Sequence, residues 1–298
     1  MLLAVEGSYQ RLSRSSHGMS EGSPIVRLVM SEEAERAKPF LKWAGGKART
    51  ASLLASMAPR SFGRYWEPFM GSAAVFFELV PETAVLSDAN EDLVVCFREV
   101  ARDPHEVMEL LDLMPNTRKF YMSVREQEPG LLSDPERAAR VIYLNKTGFR
   151  GLWRVNRSGG FNVPYGEYSR PYYNRDTLLR AAKALESAEV RHADYALALE
   201  EAKPGDWVYL DPPYIPDRVW GDFKRYTADQ FPEHEHERLA SLMREASDRG
   251  VFVMLTNSDT PTVRKTFHSF RARRLATRRD IHLKSSERDS TDLVFTSY

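Results

Sequence analysis

The sequence predicts an α/β fold: a sheet of short apolar strands interrupted by a helical, basic insertion. Three observations point to it. Apolar runs such as Trp207-Val208-Tyr209-Leu210 and Val251-Phe252-Val253-Met254-Leu255 have the length and composition of strands buried on both faces. The segments around them carry apolar residues at helical spacing. Between residues 91 and 175 the strand signal fades, and helical periodicity gives way to Gly, Asn, Arg and aromatic residues.

Taken in order, Phe40, Leu41 and Trp43 form a short apolar element before the turn Gly45-Gly46. A helix is expected from Arg49 to Met57, ahead of Pro59. Arg64 to Glu67 reads as a strand, Pro68 to Ser72 as a turn and Ala73 to Leu79 as a helix. Ala84 to Ser87 is a second strand, ending at Asp88. From Glu91 to about Glu128 the pattern is helical, with Leu93, Val94, Phe97 and Val100, then Val107, Leu110, Leu111 and Met114, at helical spacing. Ala138 to Asn145 is another helix. Asn156 to Gly160, between Leu152–Val155 and Phe161–Val163, reads as the turn of a hairpin. Regular alternation then returns: a helix from Arg175 to Ser187, a strand at Val190–His192, a strand at Asp206–Leu210, a helix from His234 to Arg249, a strand at Val251–Leu255 and a last strand at Asp292–Thr296. There is no internal repeat.

Composition excludes several classes. With 42% hydrophobic and 11% aromatic residues the chain is neither wholly disordered nor collagen-like. No apolar run reaches the roughly 18 residues of a membrane helix. A single cysteine, Cys96, excludes an internal disulfide framework and a cysteine-rich zinc site. The expected location is cytoplasmic. Residues 1–37, rich in Ser, Gly, Arg and Glu, read as a disordered leader, with Met19 and Met30 as alternative starts.

Lys and Arg number 42 and Asp and Glu 42, so the formal net charge is zero. The zero is a balance of opposed segments. Arg140 to Arg175 holds seven basic residues and one acid, and Arg264 to Arg288 nine and two, whereas Glu186 to Asp248 holds fifteen acids and seven bases. Basic stretches interleaved with Phe149, Trp153, Phe161, Tyr165 and Tyr168 suit a polyanion with stackable bases.

Three motifs carry the chemistry. Asp211-Pro212-Pro213-Tyr214 follows an apolar strand, where open α/β sheets place their ligand crevice. An acid, a carbonyl beside proline and an aromatic face can together grip a planar exocyclic amine. Phe40 to Lys47 resembles a phosphate loop, but Ala48 stands where Ser or Thr is required, which argues against ATP. Glu67-Pro68-Phe69-Met70-Gly71-Ser72 lies between a strand and a helix but has one glycine, which argues against a dinucleotide. Asp88, 17 residues after Gly71, is placed to hold ribose hydroxyls, so a different nucleoside-bearing cofactor is implied. His234-Glu235-His236-Glu237 reads as the polar start of a helix rather than a metal site.

In their order, Lys42-Trp43-Ala44-Gly45-Gly46-Lys47, Glu67 to Ser72, Asp88-Ala89-Asn90 and Asp211 to Tyr214 resemble the Dam-like DNA adenine-N6 methyltransferases, the D12 class. Gly148 to Leu152, Arg154 to Asn156, Phe161 to Gly166 and Leu255 to Thr260 extend the likeness over about Lys38 to Tyr298. It implies a Rossmann-like, S-adenosylmethionine-dependent methyltransferase sheet (38–90 and 176–298) with an inserted helical and β-hairpin target recognition domain (91–175). It implies S-adenosylmethionine as cofactor, bound by Trp43, Lys47, Gly71, Asp88, Asp194 and Asp211, and no metal. Asp211, Pro212 and Tyr214 would be catalytic, methylating an adenine flipped out of double-stranded DNA.

By the same resemblance, Lys42, Phe149, Arg150, Leu152, Arg154, Arg157, Pro164 and Tyr168 contact DNA. Arg154 would read guanine, Phe149 would stack into the gap left by the flipped base, and Arg150 and Arg157 would touch phosphate. The set resembles the subgroup that modifies GATC, although Arg150 and Phe149 replace that subgroup's uncharged amide and Tyr. A monomer is expected, with a cognate restriction endonuclease as a functional partner. Cytosine-N4 or RNA methylation, or a catalytically idle DNA-binding protein, are the alternative readings. The aspartate of the Asp211 motif favours adenine.

Overall fold

The computed structural model describes residues 37–156, 159–214, 231–278 and 289–298. Residues 1–36 of the expected leader, and Arg157, lie outside the described residues; Ala37 packs against the core. Seven strands form one sheet in the order β3-β2-β1-β4-β5-β7-β6. They are β1 (Tyr65–Glu67), β2 (Ala84–Asp88), β3 (Ala188–His192), β4 (Trp207–Leu210), β5 (Phe252–Ser258), β6 (Arg271–Arg278) and β7 (Asp289–Thr296). The first five are parallel, and β7 runs antiparallel between β5 and β6.

The strand order reverses between β1 and β4. Connections leave these two strands toward opposite sides, so a crevice opens beyond their carboxyl ends. Glu67, Asp88 and Asp211 all stand at that edge, because each ends or follows a parallel strand. The topology alone therefore brings together motifs that are far apart in sequence.

Side chains alternate across the sheet and divide the core in two. Tyr65, Leu86, Trp207, Tyr209 and Met254 pack on one face with α3 (Glu91–Arg102), α6 (Asp134–Thr147) and α7 (Arg175–Leu185). Trp66, Val85, Val208, Leu210, Val253 and Leu255 pack on the other with α8 (Tyr195–Glu201), α9 (Glu233–Asp248) and α10 (Pro261–Thr266). Two further helices, α1 (Ala51–Ser56) and α2 (Ala74–Leu79), lie near the start of the sheet. Cys96 is fully buried in α3, as a small hydrophobe. Among the described residues no helix is long and apolar enough to cross a membrane.

The helical stretch expected from residue 91 to 128 is three helices: α3, α4 (Pro104–Asp112) and α5 (Arg118–Arg125). Asp103 ends α3 and caps α4, accepting from His105 N and Glu106 N, and Pro104 occupies the first turn of α4. Thr117 caps α5 in the same way. α3 also serves the sheet, since Arg98 Nε donates to Val190 O of β3 at 2.8 Å. The expected hairpin is a pair of bridges, Val155 with Phe161 and Gly148 with Tyr165, instead of two full strands. Sequence periodicity missed α8, α10 and β6. The first two are only seven and six residues long, and β6 is an edge strand in which Arg271, Arg273 and Arg274 face solvent.

Asp206 ties the amino ends of β1 and β4. It accepts from Arg64 N at 2.9 Å, Trp66 Nε1 at 3.0 Å and Lys203 N at 3.1 Å. Truncation leaves these donors without their acceptor, so Asp206→Ala is expected to cost about 2–4 kcal/mol in chemical denaturation.

Candidate functional site

Asp211 follows β4 and is the centre of the crevice. Lys47 Nζ donates to both its carboxylate oxygens at 2.7 Å and to Gly45 O at 2.8 Å. Thr256, on β5, spends its one hydroxyl proton on Asp211 Oδ1 at 2.7 Å. Tyr209 OH, 3.1 Å from the threonine oxygen, must then be the donor to it. Lys47 and Asp211 have side chains only 8% and 16% exposed, so the pair is sheltered from solvent screening. Tyr214 completes the group. Its ring centroid lies 4.9 Å from Lys47 Nζ, and its hydroxyl donates to Asp292 Oδ2 at 3.0 Å. Pro212 is buried and Pro213 exposed.

One strand over, Gly71 sits in the turn after β1 with φ +46°. A β-carbon there would stand 2.8 Å from Trp43 Cδ1, so the indole requires glycine. Gly71 N donates to Asp88 Oδ2 at 3.1 Å, and Asn90 N to Oδ1 at 3.0 Å. Burial pushes the Asp88 carboxyl up to about 6 against these hydrogen bonds. Asp194 lies two residues beyond His192, the residue that pairs with Asp88 in the sheet. It caps α8 through Ala196 N at 2.9 Å and is approached by Arg238 at 3.4 Å. Phe69 stacks on Tyr195 at 5.2 Å.

On the far side of Trp43, the indole stacks on Trp153, with centroids 5.9 Å apart and planes 23° apart. Trp153 in turn packs on Phe161 at 4.8 Å. Lys42 is held by its backbone: its N donates to Asn145 Oδ1 at 2.9 Å, and Asn145 Nδ2 donates to Lys42 O at 2.6 Å and to Gly151 O at 3.1 Å. Tyr168 gathers cations around its ring. Lys42 Nζ is 5.7 Å from the centroid and Arg170 Cζ 5.8 Å, while Arg150 N donates to its hydroxyl at 2.8 Å. Lys146 is pushed down to about 8 by burial, then by Lys42 and Arg170. Arg150 takes φ +58°, a costly angle for a residue with a side chain, beside the exposed Phe149. Arg154 donates to Asn162 O from Nε at 3.2 Å and from Nη2 at 2.6 Å. Leu152 is half-buried, and Pro164 O accepts from Phe149 N at 2.8 Å.

Residues 43–281 match the family described as D12 class N6 adenine-specific DNA methyltransferase. The chain belongs to this family. A type II methyltransferase of Lactococcus lactis subsp. cremoris is 34% identical over 88% of this chain and 95% of its own length. A type II methyltransferase of Methanocaldococcus jannaschii is also 34% identical, over 84% and 95%. The DNA adenine methylase of Escherichia coli K12 is 30% identical over 89% and 96%.

This DNA adenine methyltransferase thus gathers Trp43, Lys47, Gly71, Asp88, Asp211 and Tyr214 along one edge of its sheet. Lys42, Phe149, Arg150, Leu152, Arg154, Pro164 and Tyr168 cluster around the loop and bridges after α6. Sequence reading missed Thr256, Tyr209 and Asp292 behind the Asp211 turn, and Asn145, Lys146 and Arg170 around Tyr168. The two expected polar histidines divide: His234 is exposed, whereas His236 is fully buried against Phe231 and held down to about 4 by that burial.

Glu67 was legible only as part of a motif. It is 3% exposed, and its Oε2 accepts from Tyr65 OH at 2.9 Å and Phe76 N at 3.1 Å. Burial, with Asp211 adding to it, pushes its carboxyl up to about 8, so it is neutral at pH 7. The unfolded chain releases this proton from about pH 4.5 upward, while the folded chain keeps it until about 8. The stability that Glu67 contributes is therefore lost as pH rises through that window, by up to about 1.4 kcal/mol per pH unit. Asp88 acts in the same direction only below about 6. Thermal melts between pH 6 and 8 should show Glu67→Gln gaining on the wild type as pH rises; parallel curves would refute a neutral Glu67.

Proposed function

We propose that this methyltransferase transfers the methyl group of S-adenosylmethionine to N6 of an adenine swung out of double-stranded DNA, within GATC. The observation that carries the reading is the Lys47 ammonium. Asp211 at the switch point already grips a nitrogen bearing several N–H bonds, against the face of Tyr214. An exocyclic amine asks for the same two partners: a carboxylate for its hydrogens and an aromatic face for its ring.

The residues present fit the cofactor. Each Asp88 oxygen accepts one backbone N–H and keeps lone pairs for the two neighbouring hydroxyls of a ribose. Gly71 exposes backbone beside the Trp43 indole, where a side chain would collide. Trp43, Lys47, Gly71, Asp88, Asp194 and Asp211 would line the site, with no metal. When bound, S-adenosylmethionine would supply a sulfonium methyl to a nitrogen lone pair, its carbon–sulfur bond breaking to leave S-adenosylhomocysteine.

The chain's own groups do the rest. Lys47 gives up Asp211 as the base enters. Asp211 and the Pro212 carbonyl accept the two N6 hydrogens, which draws the lone pair out of conjugation with the ring. Tyr214 fixes the plane of the base. As the nitrogen gains its fourth bond it becomes positive, and the Asp211 carboxylate opposes that charge and can take the surplus proton. Positioning of this kind can account for a large share of a rate enhancement.

Residues 91–175 form the recognition unit in this proposal. Arg154 reads guanine, and Lys42, Leu152, Pro164 and Tyr168 meet bases. Phe149 fills the gap left by the flipped adenine, an exchange that offsets the few kcal/mol of lost stacking and pairing. Arg150, Arg157, Lys146 and Arg170 take phosphate. The enzyme works as a monomer where its DNA lies, the cytoplasm, and a restriction endonuclease of the same specificity is its functional partner.

Asp211→Ala should abolish methylation while DNA affinity stays within about threefold, read by nucleoside digestion and fluorescence anisotropy. Undiminished activity, or N4-methylcytosine as the sole product, would overturn the assignment. Arg154→Ala should relax discrimination at one base position by about 1–3 kcal/mol, measured by competition between sites that differ at that position. An equal loss on every sequence would remove Arg154 from base reading.

A further inference from the structure

Tyr214 is reached from two sides by opposite charges. Lys47 Nζ lies 4.9 Å from the ring centroid, and Asp292 Oδ2 accepts the hydroxyl proton at 3.0 Å. Asp292 comes from β7, 78 residues further along the chain, where it pairs with Ser258 of β5 and Leu275 of β6. It is only 6% exposed. An ionised carboxylate at this position would be a strong acceptor, since a hydrogen bond to an ionised acceptor is roughly twice as strong as a neutral one.

Two consequences follow for the ring. The hydroxyl anchor fixes the ring's plane from its far edge. A phenol whose proton is drawn toward a carboxylate also carries more electron density on its oxygen and across its ring. The face then attracts cations more strongly, and the ammonium of Lys47 lies on that ring's cation-binding side. An amine nitrogen that gains a methyl group becomes cationic close to the position this ammonium now holds.

We propose that Asp292 is a positioning residue for methyl transfer: through its hydrogen bond to Tyr214 it sets the stacking plane and enriches the ring that faces the developing positive charge. The inference rests on the reading that Tyr214 stacks on the methyl-accepting base. It makes the last strand of the sheet part of the reaction and assigns a role to a residue that no motif contains.

The test uses the full chain and four proteins: wild type, Asp292→Asn, Tyr214→Phe and the double variant. Asp292→Asn keeps the shape and an acceptor oxygen but removes the charge. Its single-turnover rate is expected to fall about tenfold, the scale of one sheltered cation–π contribution. Affinities for S-adenosylmethionine and DNA should stay within about twofold. The phenylalanine variant has no hydroxyl through which Asp292 can act, so adding Asp292→Asn to it should slow it no further. In protein labelled with 3-fluorotyrosine, the fluorine resonance lost in Tyr214→Phe should shift in Asp292→Asn without substrate present.

An unchanged rate in Asp292→Asn, or an undiminished effect in the Tyr214→Phe background, would overturn the proposal. So would a fall in rate matched by a general loss of folded protein with the fluorine resonance unmoved. Product analysis separates the two levels. Wild type that makes N6-methyladenine while Asp292→Asn is unaffected defeats this inference alone. Wild type that makes only N4-methylcytosine defeats the adenine reading and this inference with it.

Discussion

The contact between Lys47 and Asp211 is the constraint on which the rest of the site depends. It joins a loop before the first strand to the turn after the fourth, 164 residues apart. Asp211 stands at the strand-order reversal, where backbone leaves the sheet in two directions and few neighbours can satisfy a carboxylate. Lys47 and Thr256 supply three donor contacts. Removing one member would leave a sheltered charge facing the other's vacated place, which is costly wherever water is scarce. The pair also explains its neighbour. Two carboxyls, Asp211 and Glu67, end adjacent strands, but one ammonium serves the crevice between them. Asp211 takes it, and Glu67 stays protonated, chiefly through burial, with the nearby Asp211 charge adding to it.

Trp43 and Lys42 join the Gly71 turn to the bridged segment after α6. Trp43 lies between Gly71 and Trp153, against the turn after β1 on one side and the bridged segment after α6 on the other. Its neighbour Lys42 is clamped by Asn145 to the turn that carries Phe149 and Arg150. Gly151 takes φ +68° where a β-carbon would stand 2.6 Å from Lys42 Cδ. One short loop, 42–47, therefore touches Asp211, the glycine turn and the bridged segment after α6. A displacement at any one of these would be felt at the other two, because packed side chains of this density have little room to absorb it.

How much of this was legible in the sequence depended on the range of the contact. Asp211, Gly71 and Asp88 were readable because each sits at a strand end beside a local turn signal. The sheet was readable for the same reason, since apolar runs such as Trp207–Leu210 are buried on both faces whatever surrounds them. Asp292 was not, because an acid in an alternating strand looks like a solvent-facing residue until β7 is placed between β5 and β6. Thr256 was read only as part of a motif stretch, and its hydroxyl acquires meaning from Asp211, 45 residues away. Neutrality at Glu67 is a property of burial and cannot be read from residue type. β6 was hidden by its own arginines, which suit an edge strand but resemble a surface run.

Charge is the clearest case of a sum that conceals its terms. The whole chain balances at zero, yet Lys42 and Arg170 lie near one tyrosine ring and both act on Lys146. Lys42 and Lys146 are both held below the ordinary lysine value, by burial first and by neighbouring cations second. Such crowding disfavours the charged form of both lysines. A phosphate backbone would relieve it directly, since each anion restores the lysines' preference for the charged state. In the proposed reading, DNA would relieve the repulsion around Tyr168, while Asp211, in the acidic stretch, would be kept for an amine.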